Sequence, residues 1–381
     1  MQVFGLWLNE PGLQAVLAML DGGGHRALLV GGAVRNALLG QAVADIDIAT
    51  DARPQRVQEL CAMAGLRAVP TGIDHGTITV VVAGVGHEVT TFRRDVETFG
   101  RHAVVAYADT IEEDAARRDF TMNALYADAS GTVIDPLGEG LADLAARRVR
   151  FVGAPQDRIR EDYLRILRFF RFTAWYGAPE AGPDAEALAA CAEHAQGVES
   201  LSRERVGAEM RKLLSAADPA PAMAAMQAAG VLAHVLPGAD ARALAVLVHL
   251  EAGRPPDWRR RLAVLGGEGA AEALRLARAD ARVLAAMRDA AAGPAPASEL
   301  GYTLGADVGA SAVLAHAALV GAALPANWQA DVARGAVAKF PLSAADLAPH
   351  FSGPALGARM KELEARWVAS GFALGRDALL A

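Results

Sequence analysis

Hydrophobic and polar positions follow two different patterns along this chain, and the pattern changes near residue 153. Before that point, short apolar runs with the two-residue period of a strand lie between segments with the spacing of an amphipathic helix. After it, strand patterns disappear, and segments rich in Ala, Leu and Arg with helical spacing continue to the last residue. We therefore predict an α+β fold, with a small mixed sheet and helices in the N-terminal part and an all-α remainder.

Turn signals divide the N-terminal part into individual elements. Gly84-Val85-Gly86 lies between two runs rich in Thr and Val, which indicates a hairpin. The predicted helices are Pro11–Leu20, Val34–Leu39 and Arg56–Ala64. The predicted strands are Ala27–Val30, Asp45–Ala49, the hairpin strands Thr77–Ala83 and His87–Phe92, and two short strands near Thr132–Ile134 and Val149–Val152.

Three features bear on where the protein resides. The longest apolar run, about Gly309 to Pro325, consists mostly of Ala and Gly, which favours a buried helix over a membrane span. Residues 1–20 contain no basic residue and so lack the start of a signal peptide. Two cysteines cannot form a disulfide framework. We expect a cytoplasmic protein that does not contact a membrane.

The charge of the chain does not favour non-specific binding to nucleic acid, because the formal net charge is −7. However, only three of the 37 basic residues are lysines, and arginine is the side chain best suited to phosphates and base edges. The abundance of Ala and Gly leaves a genomic base-composition bias as an equal explanation for the arginines.

The first candidate site combines Gly31-Gly32, at the end of a predicted strand, with Asp45-Ile46-Asp47 on the next one. The glycines leave backbone N–H groups open to a triphosphate, and the following helix offers its positive N-terminus. Two carboxylates on one face of a strand repel each other unless a cation lies between them, and Mg²⁺ is the usual cation. Either piece alone is more typical of a turn or a solvated strand face.

Three further segments carry candidate chemistry. Glu88 begins the second hairpin strand, so a neighbouring strand could bring it near the two aspartates, although an edge-strand glutamate in water is the alternative. Asp119 and Asn123 are four residues apart and would share a helical face able to hold ribose hydroxyls, with Arg118 beside them. A capped, salt-bridged helix start explains that segment equally well.

A predicted amphipathic helix runs from Ile159 to Phe172, with Ile159, Tyr163, Ile166 and Phe170 as its apolar stripe. Asp162 and Arg165 are three residues apart on another face. They could read a base edge, the carboxylate accepting from the amino group of cytosine or adenine and the guanidinium donating to the ring nitrogen. The alternative is an ordinary intrahelical ion pair.

Taken together, five segments in this order resemble the class II nucleotidyltransferases of the DNA polymerase β superfamily, which include the tRNA CCA-adding enzymes and the bacterial poly(A) polymerases. The segments are Val30–Thr50, Thr71–Arg93, Glu112–Leu125, Glu161–Phe172 and Leu201–Leu214. The resemblance implies a polymerase β-like head at 1–152, a helical neck at 153–216 that selects the nucleotide, and a helical body and tail at 217–381 that binds tRNA. It also implies a flexible loop at Arg94–Thr110.

The resemblance assigns a role to each candidate residue. It implies that Asp45 and Asp47 bind Mg²⁺ with Glu88 as a third acidic partner. Nucleotide-binding roles fall to Gly31, Gly32 and Arg35 for the triphosphate, to Arg118, Asp119 and Asn123 for ribose and phosphate, to Asp162 and Arg165 for the base, and to Arg168 and Arg171 in support.

The activity implied by the resemblance is template-independent addition of C, C and A to the 3′ end of tRNA from CTP and ATP, with release of pyrophosphate. A poly(A) polymerase, or an enzyme that adds only CC or only A, is the nearest alternative. A non-catalytic RNA-binding protein that kept the fold is a more distant one. The oligomeric state stays open.

Overall fold

The structure is a computed structural model that describes residues 1–99 and 102–381, with side chains described outside 95–105. The chain divides into two compact units. The first unit consists of Met1–Arg205 with Ala228–His234, and the second of Val206–Gln227 with Val235–Ala381. The division into head, neck and body predicted from the sequence stays a prediction.

Seven strands of the first unit form one mixed sheet, and two others form a separate hairpin. The strands are β1 (Leu28–Val30), β2 (Asp47–Thr50), β3 (Arg67–Gly72), β4 (Thr77–Val82), β5 (Val85–Thr91), β6 (Arg93–Phe99), β7 (His102–Tyr107), β8 (Tyr126–Ala127) and β9 (Val133–Ile134). The order in the large sheet is β3-β4-β5-β2-β1-β8-β9, and β6 pairs with β7. The pair β2–β5 is parallel, whereas the other neighbours are antiparallel. A mixed sheet with helices, as predicted, is confirmed.

Some helices of the first unit begin at a side-chain cap. Glu10 accepts hydrogen bonds from two backbone N–H groups at the start of the first helix, and Thr110 with Glu113 forms a capping box at the fourth. The helices are α1 (Pro11–Gly22), α2 (Gly32–Leu38), α3 (Pro54–Met63), α4 (Ile111–Ala116), α5 (Gly140–Ala145), α6 (Pro155–Glu161), α7 (Leu164–Tyr176) and α8 (Ala185–Glu193). Short 3₁₀ helices lie at Ile73–His75, Thr121–Asn123 and Ala195–Ser200.

An aromatic cluster joins the sheet region to helix α7. The ring of Phe120 lies 5.0 Å from that of Phe151 and 4.9 Å from that of Phe172, measured between centroids. All three side chains are buried, as is Phe169 on the same helix. Because each buried aromatic ring contributes about 1.5–3 kcal/mol of hydrophobic stabilisation, this cluster holds α7 firmly against the end of the sheet.

The second unit is entirely helical apart from one isolated bridge. Its helices are α9 (Arg203–Leu214), α10 (Ala220–Ala228), α11 (Val231–Val235), α12 (Leu244–Glu251), α13 (Trp258–Leu265), α14 (Ala270–Ala273), α15 (Arg278–Ala291), α16 (Ala297–Val320), α17 (Trp328–Val337), α18 (Ala344–Leu347), α19 (Gly353–Ala369) and α20 (Arg376–Leu380). The first three of these helices also include residues of the first unit. Helix α16 is long and apolar enough to cross a membrane by length and composition alone. Half of its apolar stretch is buried within the fold, and Gly305 breaks its helical geometry with a φ of 80°.

Several predicted elements are confirmed within two residues at each end, including α1, α2, α3, β4 and β9. The predicted strand at Val149–Val152 is wrong, because only Phe151 pairs there, in an isolated bridge with Phe120. The strand predicted from Asp45 begins only at Asp47. The stretch at 94–110 contributes the paired strands β6 and β7, while Gly100 and Arg101 lie outside the described residues.

Candidate active site

A cleft of about 220 Å³ opens at the centre of the large sheet, where the parallel strands β2 and β5 lie side by side. Asp47 and Glu88 are direct Cα partners in this pairing, and both line the cleft. Side chains at paired positions of adjacent strands project to the same face. Asp114 and Arg118 line the same cleft, so acidic and basic groups share a small volume.

The two aspartates of the first candidate site do not both lie on a strand. Asp45 precedes β2 in irregular backbone, whereas Asp47 is its first residue, so the expectation that they share a strand face is wrong. They are nevertheless electrostatically coupled. Partial burial raises the pKa of Asp47, Arg118 opposes that shift, and the charge of Asp45 adds to it. The charge of Asp45 thus disfavours the ionised form of Asp47, although Asp45 lies outside the strand.

Glu88 lies in β5, exposed on the cleft side of the sheet. The neighbouring-strand arrangement expected for it is confirmed by its register with Asp47. Among the side chains of residues 1–94 and 106–381, no three His, Cys, Asp or Glu converge closely enough to form a metal-binding group. In this conformation the acidic groups are therefore a coupled pair with a third carboxylate nearby.

The most connected side chain of the cleft is Asp114, to which the sequence assigned no role. It is almost fully buried, and it accepts hydrogen bonds from Arg118 Nη2 (2.9 Å), Arg117 Nε (3.1 Å) and the Tyr126 hydroxyl (2.6 Å). The backbone N–H of Arg93 donates a fourth, at 3.1 Å. Burial alone would raise the pKa of Asp114, but the two guanidinium groups and these hydrogen bonds lower it to about 2. An acid directly after the capping box of Thr110 and Glu113, followed by the pair Arg117-Arg118, is the sequence signal that could have identified it.

The carboxylate of Asp114 binds only part of the guanidinium group of Arg118. Its Nε donates to the Tyr126 hydroxyl at 3.0 Å and its Nη2 to Asp114. Burial disfavours its charge, but Tyr126 and Asp114 outweigh that effect and raise its pKa above the ordinary arginine value. Nη1 donates no hydrogen bond to the part of the chain that the structure describes, and it lies near Gly31.

Gly31 connects β1 to α2 in a conformation that favours glycine. Its φ is 68° and its ψ is −118°, and a Cβ added there would lie 3.4 Å from Arg118 Nη1. Gly32 has no such constraint, because its nearest neighbour would be Arg35 Nη2 at 3.8 Å. The turn therefore brings open backbone close to the guanidinium of Arg118.

Arg35, on α2, is buried among aromatic and amide groups. Its guanidinium carbon lies 4.0 Å from the ring centroid of Tyr176, and its Nη2 donates to the Tyr176 hydroxyl at 2.8 Å. Its Nη1 donates to the side-chain oxygen of Asn123, and its Nε and Nη2 to that of Asn36. Burial lowers the pKa of Arg35, while Tyr176 and Asp119 raise it. No sequence pattern relates Arg35 to Tyr176, which is 141 residues away.

Asp119 and Asn123 lie together, although not on one helical face as predicted. Helix α4 ends at Ala116, Asp119 lies in a turn, and Asn123 closes a 3₁₀ helix. Asn123 Nδ2 still donates to Asp119 Oδ1 at 2.9 Å, so the turn replaces the helix in bringing them together. Burial raises the pKa of Asp119, but Arg168 and Asn123 reverse the shift and lower it overall.

The two supporting arginines of α7 face this group. Arg168 Nε donates to Asp119 Oδ2 at 2.7 Å, and its guanidinium carbon lies 5.3 Å from the Phe172 ring. Arg171 lies over the same ring, at 4.5 Å. Four of the predicted residues therefore form one continuous chain of hydrogen bonds, in the order Arg35, Asn123, Asp119 and Arg168.

The single helix predicted over Ile159–Phe172 is wrong, because α6 ends at Glu161 and α7 begins at Leu164. Asp162 is extended at this break (φ −154°, ψ 107°), and its Oδ1 accepts from the N–H of Leu164 at 3.0 Å. A short side chain that bonds nearby backbone N–H groups competes with the helix and starts a new one. Consequently Asp162 and Arg165 do not share a helix face.

Asp162 and Arg165 also have different partners. Asp162 Oδ2 accepts from Arg205 Nη2 at 2.6 Å. Arg165 Nη1 donates to the Glu161 carboxylate and, at 2.7 Å, to the carbonyl of Arg158. Both side chains remain partly exposed, so each has polar edges available to a ligand.

Two family models match this chain. Residues 27–150 match the "Poly A polymerase head domain", which contains the whole cleft. Residues 183–242 match the "Probable RNA and SrmB- binding site of polymerase A". The two matches cover the sheet region and the helices that follow α7.

Curated proteins with similar sequences carry consistent names. The chain is 41% identical over 209 residues to "CCA tRNA nucleotidyltransferase 1, mitochondrial" of Mus musculus, covering 55% of this chain and 48% of that protein. It is 41% identical over 206 residues to the "CCA-adding enzyme" of Levilactobacillus brevis, covering 54% and 50%. The chain thus matches about half the length of these curated relatives.

A solved structure extends the likeness over nearly the whole fold. The Bacillus stearothermophilus CCA-adding enzyme in complex with CTP superposes with a TM-score of 0.72 at 29% identity, covering 95% of this chain and 94% of that one. The head-domain match, the sequence relatives and this superposition agree with one another. Residues 27–150 therefore carry a poly(A) polymerase head domain, and the chain as a whole is similar to CCA-adding enzymes.

Proposed function

We propose that this protein adds C, C and A to the 3′ end of tRNA, using CTP and ATP without a nucleic-acid template and releasing pyrophosphate. The observation that carries the proposal is the cleft in which Asp47 and Glu88 lie side by side and which Arg118 also lines. Acidic groups and a guanidinium that share a small cleft suit the transfer of a nucleotide from its triphosphate. The names of the relatives and the CTP complex of the similar structure support this choice.

The residues at the cleft fit a divalent cation, for which we propose Mg²⁺ at Asp45 and Asp47. The raised pKa of Asp47 reflects its burial and its repulsion by Asp45, and a bound cation would relieve that repulsion. Carboxylate oxygens are the donors that hard divalent cations prefer. When bound, the cation would supply activation of the tRNA 3′-hydroxyl and charge neutralisation at the reacting phosphate. Glu88 is the third acidic partner in the proposal.

Arg118 has the features of a triphosphate-binding residue. It stays charged, two of its nitrogens are fixed by Asp114 and Tyr126, and its Nη1 is left for an anion next to the backbone of Gly31. A donor fixed before the substrate arrives loses little entropy on binding and needs no rearrangement during the reaction. We assign Gly31 and Gly32 to the same phosphates through their backbone.

The chain of hydrogen bonds from Arg35 to Arg168 would hold the sugar and the adjoining phosphate. Asp119 and Asn123 present acceptor and donor atoms that are already oriented by each other. Arg35 and Arg168 fix their outer ends, and Arg171 lies beside them over Phe172. An oriented carboxylate and amide suit a pair of ribose hydroxyls.

Nucleotide choice is assigned to Asp162 and Arg165. The carboxylate of Asp162 accepts only, so it can pair with the amino group of cytosine or adenine but meets the carbonyl of uracil or guanine acceptor against acceptor. An unpaired acceptor pair in a partly desolvated site is costly. Because Asp162 lies in the α6–α7 break and Arg165 in the first turn of α7, the backbone of the break sets their spacing.

The RNA partner is proposed to be tRNA, held through its backbone and shape by the helical part of the chain. The match of residues 183–242 to an RNA-binding region of polymerase A supports an RNA partner for these helices. Arginine contacts to phosphates would make binding weaken as salt rises. We place the reaction in the cytoplasm.

The test is incubation of the protein with tRNA lacking its 3′ end, labelled CTP or ATP, and Mg²⁺. We expect addition of two C and then one A, and no further growth. Asp47→Ala should reduce transfer on the order of 1,000-fold, because charge stabilisation worth several kcal/mol is lost. The matched control Asp21→Asn, in an exposed position on α1, should transfer at the rate of the unmodified chain.

Other outcomes would change the assignment in defined ways. Long A tails on any RNA would make the protein a poly(A) polymerase. Addition restricted to CC or to A would make it a partial enzyme. Full activity in a folded Asp47→Ala variant would contradict the role given to the cleft acids, and no transfer by the unmodified chain would favour a binding protein.

A further inference from the structure

The α6–α7 break that carries Asp162 is held from outside by the segment that begins at residue 195. Two contacts cross from this segment to the break. The first is the ion pair between Arg205 Nη2 and Asp162 Oδ2, at 2.6 Å. The second is the packing of the Tyr163 ring on the backbone of Gly197. Both contacts lie within the first compact unit.

Gly197 is needed for the second contact. A Cβ added at this position would lie 2.2 Å from Tyr163 Cδ1, far inside any permitted distance. The ring next to Asp162 in sequence can therefore pack directly on the 3₁₀ helix Ala195–Ser200. This packing fixes the backbone of the break independently of the ion pair.

The ion pair fixes the side chain. Asp162 Oδ1 accepts from the N–H of Leu164, and Oδ2 accepts from Arg205, so both oxygens are engaged and the carboxylate plane cannot rotate freely. Each oxygen keeps a second lone pair for a further donor. Asp162 and Arg205 are 29% and 31% exposed, so the pair is accessible to a ligand.

We propose that Arg205 is a positioning residue for nucleotide selection, which acts by fixing the orientation of the Asp162 carboxylate. This inference rests on the function proposed above. With its plane fixed, the carboxylate can reject uracil and guanine, because it cannot turn away from their carbonyl groups. Without Arg205 the carboxylate can rotate, and the clash of acceptor with acceptor is relieved.

If Arg205 had only a structural role, replacing it would leave the ratio of kcat/KM for CTP to that for UTP unchanged. A partly exposed ion pair contributes little to stability, so its loss should leave the melting temperature nearly unchanged. If the ion pair serves nucleotide selection, its loss should lower the ratio of kcat/KM for CTP to that for UTP. Selection and stability are thus separate readouts of the same variant.

The experiment measures single-nucleotide addition with CTP and UTP for Arg205→Gln and Arg205→Lys. We expect Arg205→Gln to lower the CTP-to-UTP preference about 10-fold or more, the size of a lost charge-assisted hydrogen bond, without a change in melting temperature. Arg205→Lys keeps the charge but not the planar geometry, and should restore part of the preference. The control is Arg160→Gln, which removes an exposed arginine paired with Asp157 and should keep full preference.

A double variant tests whether Arg205 acts through Asp162. If it does, Asp162→Ala and Asp162→Ala/Arg205→Gln should have the same low preference, because the second change has nothing left to affect. A further loss in the double variant, or full preference in Arg205→Gln, would overturn the inference while leaving the proposed function intact.

Equilibrium binding of CTP and UTP without tRNA separates the two failures. If the unmodified chain transfers no nucleotide but binds CTP over UTP, and Arg205→Gln loses that preference, the inference holds and the proposed reaction fails. If the unmodified chain neither transfers nor discriminates, both are overturned.

Discussion

Two places in this molecule are built from the same groups, one buried carboxylate and two consecutive arginines. In the first unit Asp114 binds Arg117–Arg118, and in the second unit Glu251 binds Arg260–Arg261. We call them the Asp114 cluster and the Glu251 cluster. Both carboxylates are at most a few per cent exposed. The two clusters differ in how far the guanidinium groups are bonded within the protein and shielded from solvent.

The Glu251 cluster is closed. The guanidinium group of Arg261 donates to Glu251 and to the carbonyls of Leu214, the last residue of helix α9, and of Ala216 and Ala217 just after it. Arg260 donates to Glu251 and to the carbonyl of Pro255. The side chains of these arginines are 1% and 6% exposed, so the cluster can serve only the fold.

The Asp114 cluster is open on one side. Its two arginine side chains are each 20% exposed and line the cleft that also holds Asp47 and Glu88. Here the carboxylate binds both arginines, and both arginines also line the cleft. Composition alone therefore does not separate a structural cluster from a ligand-binding one. The exposure of the arginine side chains does separate the two clusters, because it is 20% for each in the Asp114 cluster and 6% and 1% in the Glu251 cluster.

The largest expected effect is loss of stability in the Glu251 cluster. Glu251→Ala leaves two arginines buried without their carboxylate, which should lower the free energy of unfolding by about 3–5 kcal/mol. Urea unfolding, with hydrogen exchange of the peptides from α12 and α13, measures this loss. The folded fraction should transfer nucleotides at the normal rate.

Glu251→Gln is the companion variant in case Glu251→Ala does not fold. It keeps the volume and one acceptor oxygen, and should be destabilised less than the alanine variant. If either folded variant loses turnover but not stability, the division between the two clusters is contradicted.

The next effect is on catalysis in the Asp114 cluster. Arg118→Gln removes the fixed cation from the cleft, and loss of one oriented donor should reduce kcat/KM for CTP by about 100- to 1,000-fold. Asp114 would keep its bonds to Arg117, Tyr126 and the backbone of Arg93, so the fold should persist.

The same change at the other cluster, Arg261→Gln, should give the opposite result to Arg118→Gln. It should lower stability with little effect on kcat/KM per folded molecule. Rate measurements and melting curves on the two variants therefore form a crossed test. Equal loss of kcat/KM in both variants would show that the exposure of the arginine side chains does not distinguish the clusters.

The sequence predicts the sheet and the acidic side of the cleft because both depend on local patterns. Thr- and Val-rich runs around Gly84-Val85-Gly86 specify the hairpin of β4 and β5, which positions Glu88. The Asp-Ile-Asp segment stands next to an apolar run that becomes the central strand β2. The register that joins Asp47 to Glu88 then follows from the burial of the alternate residues Ile48 and Val89.

The rest of the site depends on contacts that no local pattern encodes. The apolar stripe of Ile159, Ile166 and Phe170 continues across the α6–α7 break, because a short break can preserve which side is buried. The break is specified instead by the bond between Asp162 and the Leu164 N–H. Likewise, Tyr176 reaches Arg35 only through the packing of α7 on the sheet region.

The smallest of these effects is a dependence of stability on pH that distinguishes the Asp114 cluster. The pKa of Asp114 is about 2 in the folded protein, below its ordinary value of 3.8, because Arg118 and Arg117 favour its charged form. A lowered pKa contributes stability that is fully present above the unfolded value and is lost as the pH falls toward 2. The contribution is about 2 kcal/mol at neutral pH. The difference in unfolding free energy between the unmodified chain and Asp114→Asn should therefore shrink by about this amount between pH 6 and pH 2.5. A difference that stays constant over this range would show that Asp114 carries no extra charge stabilisation, and the arginines facing the cleft would then lack the fixed anchor on which the comparison depends.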